Sequence, residues 1–240
     1  VSFSDDSCLI AENPGIGLYS ETGLHAALKR LYAGPQARFE VKIARKIVDV
    51  VNPDEYVEIQ TRNLAAIKDK LLSLACLKAV RVVVPIHAER YIERIDETGQ
   101  VLAGLRKSPL RRDLYHIFDE LVHAPCLVAS PNLAVDVLLV RVVEQRRRTQ
   151  IKYRGRYRDE VVARNLAEVL SCHSFSCAAD WLKLLPPALP PCFTSSMLGA
   201  ALKISSERAR KILYTYVRAG LVQEAGKQGR EKLYTRQPAG

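Results

Sequence analysis

Residues 47–61 constrain this chain more than any other stretch. Two short runs rich in β-branched residues flank Asn52-Pro53-Asp54. That tripeptide is a turn signal, because proline cannot serve a strand ladder and pushes the residue before it out of the helical region. Side chains alternate between the faces of a strand. Ile47, Asp49 and Val51 therefore share one face of the first run. Glu58 and Gln60 share one face of the second, with Val57 and Ile59 on the other. If the runs pair side by side, Asp49 and Glu58 converge. Two carboxylates among β-branched neighbours are costly unless compensated, and a divalent cation with oxygen ligands is the most direct compensation. The competing reading is a wet pair of carboxylates on adjacent strands.

The flanking patterns predict further elements. Ser20 reads as the N-cap of a helix running to about residue 32, ended by Gly34-Pro35, with Leu24, Leu28 and Leu31 inward. Glu21 lies in its first turn, where an acid also suits the helix dipole. His25, four residues later on the same side, either reaches the same pocket or is a plain surface histidine, and the second is the preferred reading. Residues 38–43 and 46–51 read as a strand hairpin and residues 56–61 as a third strand. Asn63 then caps a helix with Leu64, Ile67, Leu71 and Leu74 inward, and residues 80–85 fit a buried strand. Residues 86–109 read as a strand pair turning at Asp96 to Gly99. A helix follows from Pro109 to about residue 122, then a very apolar strand over residues 133–143.

A helix with an acid, a hairpin with an Asp, a strand with Glu-x-Lys, a helix and a strand: in this order the elements resemble the PD-(D/E)XK nuclease superfamily, whose restriction-endonuclease-like fold includes archaeal Holliday-junction resolvases. The resemblance rests on element order over roughly the first half of the chain. It implies an α/β fold, a mixed sheet flanked by helices over residues 20–145, and a Mg2+- or Mn2+-dependent deoxyribonuclease. By this resemblance Asp49 and Glu58 hold the metal with the Ile59 carbonyl, and Glu21 assists through a water or a second metal. Gln60 stands where the superfamily usually has Lys and is expected to position the attacking water. Lys68 on the following helix, or Lys42, is the substitute for the missing positive charge. Nucleases of this fold often cut both strands as dimers, which extends to a homodimer here.

Charge points the same way. Of the 240 residues, 36 are Lys or Arg and 26 Asp or Glu, a formal net charge of +10. Such an excess favours a polyanionic partner, nucleic acid before membrane. No apolar run approaches the ~18 residues of a membrane span, so no membrane partner is expected. The six cysteines are scattered, without a Cys-x-x-Cys pair. They read as reduced thiols of a cytoplasmic protein. The most basic stretch holds Arg146, Arg147, Arg148, Lys152, Arg154, Arg156 and Arg158, with Tyr153 and Tyr157 interleaved. Arginine forks suit phosphates and tyrosines can stack on bases. It reads as a DNA-contacting linker that opens a basic and helical region over residues 146–190, with a helical pattern over residues 166–185. Residues 1–19 show no periodicity and read as a tail.

Residues 191–240 parse as a unit of their own. Thr194 or Ser195 caps one helix, and Ser205 or Ser206 caps a second that ends at Gly220. Two strands follow, joined by a Gly226 to Gly229 turn. Helix, turn, helix and hairpin in this order resemble a winged helix-turn-helix domain. That resemblance sends the second helix into the DNA major groove with Arg208, Lys211, Thr215 and Arg218 outward, and puts Lys227 and Arg230 on the wing. Two other functions stay open. One is a non-catalytic DNA-binding protein built on a degenerate nuclease core, with Gln60 recording the loss. The other is an interaction module of a larger assembly.

Overall fold

The computed structural model describes residues 23–153 and 155–236, without the side chains of residues 150–153 and 156. The expected tail, Glu21 and Arg154 lie outside the described residues. The first element is α1 (Leu24–Leu31), followed by the antiparallel strands β1 (Arg38–Ile43), β2 (Lys46–Val51) and β3 (Glu55–Ile59). α2 (Leu64–Ala75) crosses to β4 (Ala79–Ile95), which runs parallel to β3. Asn63 caps α2 by accepting the Ala66 N–H, which the composition of the segment had indicated. β5 (Val101–Lys107) turns back antiparallel to β4.

A 3-10 turn (Leu114–Ile117) and α3 (Phe118–Leu121) lead to β6 (Leu133–Tyr153), parallel to β4, and β7 (Arg156–Phe175), antiparallel to β6. The result is a seven-stranded mixed sheet of order β1-β2-β3-β4-β6-β7, with β5 beside β4. Helices flank it on both faces. Leu24 and Leu28, one turn apart on α1, bury against Val50, Val57, Ile59 and Val83. On the other face α2 and α3 pack on Val48, Val82, Val84 and Val135. A half-buried Arg81 on β4 ties the middle of the sheet by pairing with Glu55 of β3 and Asp136 of β6.

Several expectations need correction. α1 starts at Leu24 with Gly23, not Ser20, at its N-cap and no side-chain cap, and Leu31 is exposed rather than inward. The helix over residues 109–122 is only the short turn and α3, because the preceding residues leave the sheet edge extended. The basic stretch is not a linker and residues 166–185 are not one helix: both belong to the β6–β7 hairpin as far as Phe175. The cause is bulging. The ladder skips Leu170 between Leu139/Ser171 and Val140/Val169, and skips Ala167 between Arg141/Glu168 and Val142/Leu166. Each bulge adds one residue, so Leu166, Val169 and Cys172 face α1 at a spacing of three. That spacing imitates a helix.

The chain then forms α4 (Ala178–Leu182), β8 (Cys192–Phe193), α5 (Ser195–Leu202), α6 (Ser206–Arg218), β9 (Val222–Gln228) and β10 (Glu231–Arg236). The strands make a second sheet of order β8-β10-β9. Thr194 and Ser205 supply the caps. This unit does not stand apart. Trp181 stacks on Phe175 at 4.1 Å and meets Phe118 edge-on, and Phe118 also meets Tyr216 of α6. Tyr216 Oη donates to the Trp181 carbonyl at 2.5 Å. Among the described residues no helix is long and apolar enough to cross a membrane.

Candidate active site

Asp49 and Glu58 lie where β2 and β3 diverge, each reaching a different flanking helix. Val50 pairs with Val57 and Val51 with Tyr56, and the same register one step on sets Asp49 opposite Glu58. On its other side Asp49 has no paired partner, because Glu40 leaves the β1–β2 ladder at φ +54. A side chain beside such a break is re-aimed. Asp49 turns toward α1 and the end of β3. Its Oδ2 accepts the Ile59 N–H at 2.9 Å and lies 3.3 Å from His25 Nε2, and its Oδ1 lies 3.5 Å from Lys29 Nζ. Burial opposes ionisation of Asp49, but the His25 and Ile59 hydrogen bonds and the Lys29 charge hold its carboxyl below the usual value. The Asp49 hydrogen bond in turn raises His25.

Glu58 is only 4 % exposed. Lys70 of α2 brings its ammonium to 2.6 Å from Oε1 as an ion pair, yet that oxygen accepts no well-directed hydrogen bond. Burial pushes the Glu58 carboxyl up, and the Asp49 charge adds to it against the pull of Lys70. A buried carboxylate left this way is expensive in the absence of a further cation. Asp49 and Glu58 are the two carboxylates here that can contribute oxygen ligands to a hard cation, which commonly binds through one or two carboxylates and completes its shell with water and phosphate. Among the described residues no three His, Cys, Asp or Glu side chains gather into a closed cage.

The remaining predicted residues fall differently. Ile59 offers its carbonyl at this point, but His25 Nε2 already contacts it at 3.1 Å, so His25 belongs to the site and is not a plain surface histidine. Gln60 is engaged elsewhere: its amide nitrogen donates to the Arg62 and Asn63 carbonyls at the start of α2. The lysines that reach the carboxylates are Lys70, at Glu58, and Lys29, at Asp49; among the described residues neither Lys68 nor Lys42 pairs with either. Lys29, Lys70 and His25 are the residues the sequence reading missed.

The basic residues differ in what they touch. Arg146 and Arg147 pair with Glu144 and Glu160. Arg148 lies over the exposed Tyr157 ring at 5.2 Å, and Arg158 stands one residue further along β7. The Lys152 and Arg156 side chains lie outside the description. On α6, Lys211 and Arg208 turn inward to Asp119 of α3, at 2.8 and 3.7 Å, and Thr215 is fully buried. The outward face of α6 is instead Arg210, Tyr214 and Arg218, spaced one turn apart and exposed. Lys227 and Arg230 are exposed at the β9–β10 turn, as expected.

Residues 22–176 match the model of a family described as a domain of unknown function, DUF8091. That region spans α1 to β7 and holds every residue of the carboxylate pocket. A protein of Treponema pallidum (strain Nichols), described as "Uncharacterized protein", is 32% identical over 222 residues, which cover 92% of this chain and 87% of the relative. No solved structure matches.

Proposed function

The chain belongs to the DUF8091 family, and we propose that it is a Mg2+- or Mn2+-dependent DNA endonuclease of the restriction-endonuclease-like type with a winged-helix DNA-binding unit. The observation that carries this reading is the buried Glu58, set opposite Asp49 at the divergence of two strands and paired with Lys70 from the next helix. An Asp on β2, a Glu on β3 and a Lys on the next helix thus follow one another in an α-β-β-β-α-β order with β3 and β4 parallel. Lys70 supplies the charge that Gln60 lacks. For the C-terminal unit, the support is the order of its helices and strands with β8 beside β10.

In this reading Asp49 and Glu58 hold the ion, which when bound acidifies a water and neutralises the phosphate. Asp49 is kept ionised by His25 and the Ile59 N–H. The Lys70 ammonium faces the reacting phosphate beside Glu58 and hydrogen-bonds the attacking water. The Lys29 side chain, mostly buried next to Asp49, adds positive charge where the phosphate oxygens come to rest. The exposed Arg210, Tyr214 and Arg218 face and the β6–β7 arm hold the duplex. A second reading, a DNA-binding protein on an inactive core, is favoured by the engagement of the Ile59 carbonyl by His25 and of the Gln60 amide by backbone.

The deciding experiment is cleavage of labelled linear, single-stranded and four-way-junction DNA with Mg2+ or Mn2+, beside Asp49→Asn and Lys70→Met proteins. Metal-dependent cutting that both substitutions abolish is the expected result. DNA binding in chelator without cutting by any protein selects the inactive core, and equal cutting by all three overturns the site.

A further inference from the structure

β4 changes partners along one edge. β3 pairs with it through Val83, where the Gln60 N–H still bonds the Val83 carbonyl, and β5 pairs with it from Tyr91 on. Between these, residues 84–90 have no strand on that side among the described residues. Pro85, which has no N–H to offer a ladder, falls in this interval, and a bulge at Ala88 in the β4–β6 ladder follows it. The interval opens into a pocket of about 360 Å3. One wall is His25, the residue that touches Asp49, so the pocket adjoins the carboxylate site.

Its chemistry is cationic. Among the described residues Arg62, Arg90, Arg112 and Arg164 line it, against a single carboxylate, Glu144. Glu144 is 1 % exposed and already engages Arg164 at 3.0 Å and Arg146 at 2.5 Å, with Arg90 at 3.7 Å. Its role is to orient arginines, not to neutralise four of them. Arg90 is braced by the buried Ser108 hydroxyl at 3.1 Å, while its Nε is buried with no hydrogen-bond partner. Arg62 and Arg112 are exposed at the rim, and among the described residues neither has an ion-pair partner. Burial and the neighbouring Arg164 and Arg112 charges push His87 down to about 4, so near neutrality it is an uncharged imidazole in a field of guanidinium groups. Arginine forks around a concave space, Arg90 braced by Ser108 and Arg164 by Glu144, match the oxygens of a phosphate, and the first turn of α1, whose N–H groups have no partner within the helix, opens onto the same space at Gly23.

We propose that this pocket is a phosphate site that holds a phosphate group of the nucleic-acid strand beside the one to be cut. The assignment of strand and scissile bond rests on the nuclease reading; the phosphate chemistry rests on the pocket. The site orients the strand by a phosphate contact and carries no base readout.

Binding of a labelled short single strand to the full chain, measured in chelator over a salt series, tests it. Arg112→Gln is the principal variant because the side chain sits at the rim. Arg111→Gln, an exposed neighbour outside the pocket, controls for general charge. The expected result is about tenfold weaker binding for Arg112→Gln and a salt slope reduced by about 1, with Arg111→Gln close to wild type. A 5′-phosphate that tightens binding to wild type but not to Arg112→Gln assigns the pocket to a strand end. Equal affinity for either end, with Arg112→Gln still weakened, assigns it to an internal phosphate. Equal affinities and slopes for wild type and Arg112→Gln, or equal losses in both variants, overturn the proposal. Because the readout needs no cutting, loss of the nuclease reading and loss of the phosphate site are separate results.

Discussion

The Glu58–Lys70 pair shows at residue scale how a site can be costly to keep. A carboxylate 4 % exposed depends on its ammonium partner, and removing one member of a buried pair leaves the other uncompensated. Lys70→Met should therefore destabilise the metal-free protein by about 3 kcal/mol, while Glu58→Gln combined with Lys70→Met should recover most of that. Denaturant titrations of the two single variants and the double variant in chelator check this, and equal instability of Lys70→Met and the double variant contradicts it. His87 gives a pH prediction. Its folded value, lowered from 6.5 to about 4 chiefly by burial, means the unfolded chain binds the proton more readily. The contribution is intact above 6.5 and is lost as pH falls toward 4, by about 3 kcal/mol in all. The charges facing it are Arg90, Arg112 and Arg164, with Glu144 opposing them. His87→Asn should flatten the stability profile between pH 6.5 and 4, and an unchanged acid slope would contradict this. Near these residues the helical pattern had a limit: Lys68 and Lys70 flank the apolar stripe of α2 on opposite sides, and only the docking of α2 on the sheet decides which flank meets Glu58.

At the scale of elements, α6 divides its basic residues by what they touch. Arg208 and Lys211 are spent on Asp119 of α3, whereas Arg210, Tyr214 and Arg218 make an exposed stripe. Arg210→Glu should weaken duplex DNA binding and lower the salt slope by at least about 1. Lys211→Ala should leave DNA affinity unchanged and cost less than about 1 kcal/mol, because its ion pair is part-exposed and screened. Fluorescence anisotropy over a salt series distinguishes them, and a larger binding loss for Lys211→Ala reverses the assignment of the face. The helix itself and its cap at Ser205 were plain in the sequence; its orientation was not, because Asp119 lies far away in the chain. β7 illustrates the opposite failure. Its inward residues are spaced by three only because Ala167 and Leu170 bulge out of the ladder, and the bulges arise from pairing with β6, which no local pattern records.

For the whole molecule, the consequential feature is the aromatic junction of Phe118, Phe175, Trp181 and Tyr216, which joins the C-terminal unit to the main sheet. Trp181 is the chain's one tryptophan, so its fluorescence reports this junction. Trp181 emission and far-UV circular dichroism should unfold together on heating, as expected of one cooperative unit, and Trp181→Ala should cost about 4 kcal/mol. Two separated transitions would show that the C-terminal unit melts alone. The sequence by itself determined the hairpin of Asp49 and Glu58, the capped helices α2, α5 and α6, the buried β4 and the basic excess, because each follows from local alternation, capping chemistry or composition. Tertiary structure alone decided that His25, Lys29 and Lys70 close around those carboxylates and that Arg208 and Lys211 turn inward. It also decided that a cationic pocket opens where β4 passes from β3 to β5. Each of these depends on which distant element arrives at a given edge, and long-range packing sets that.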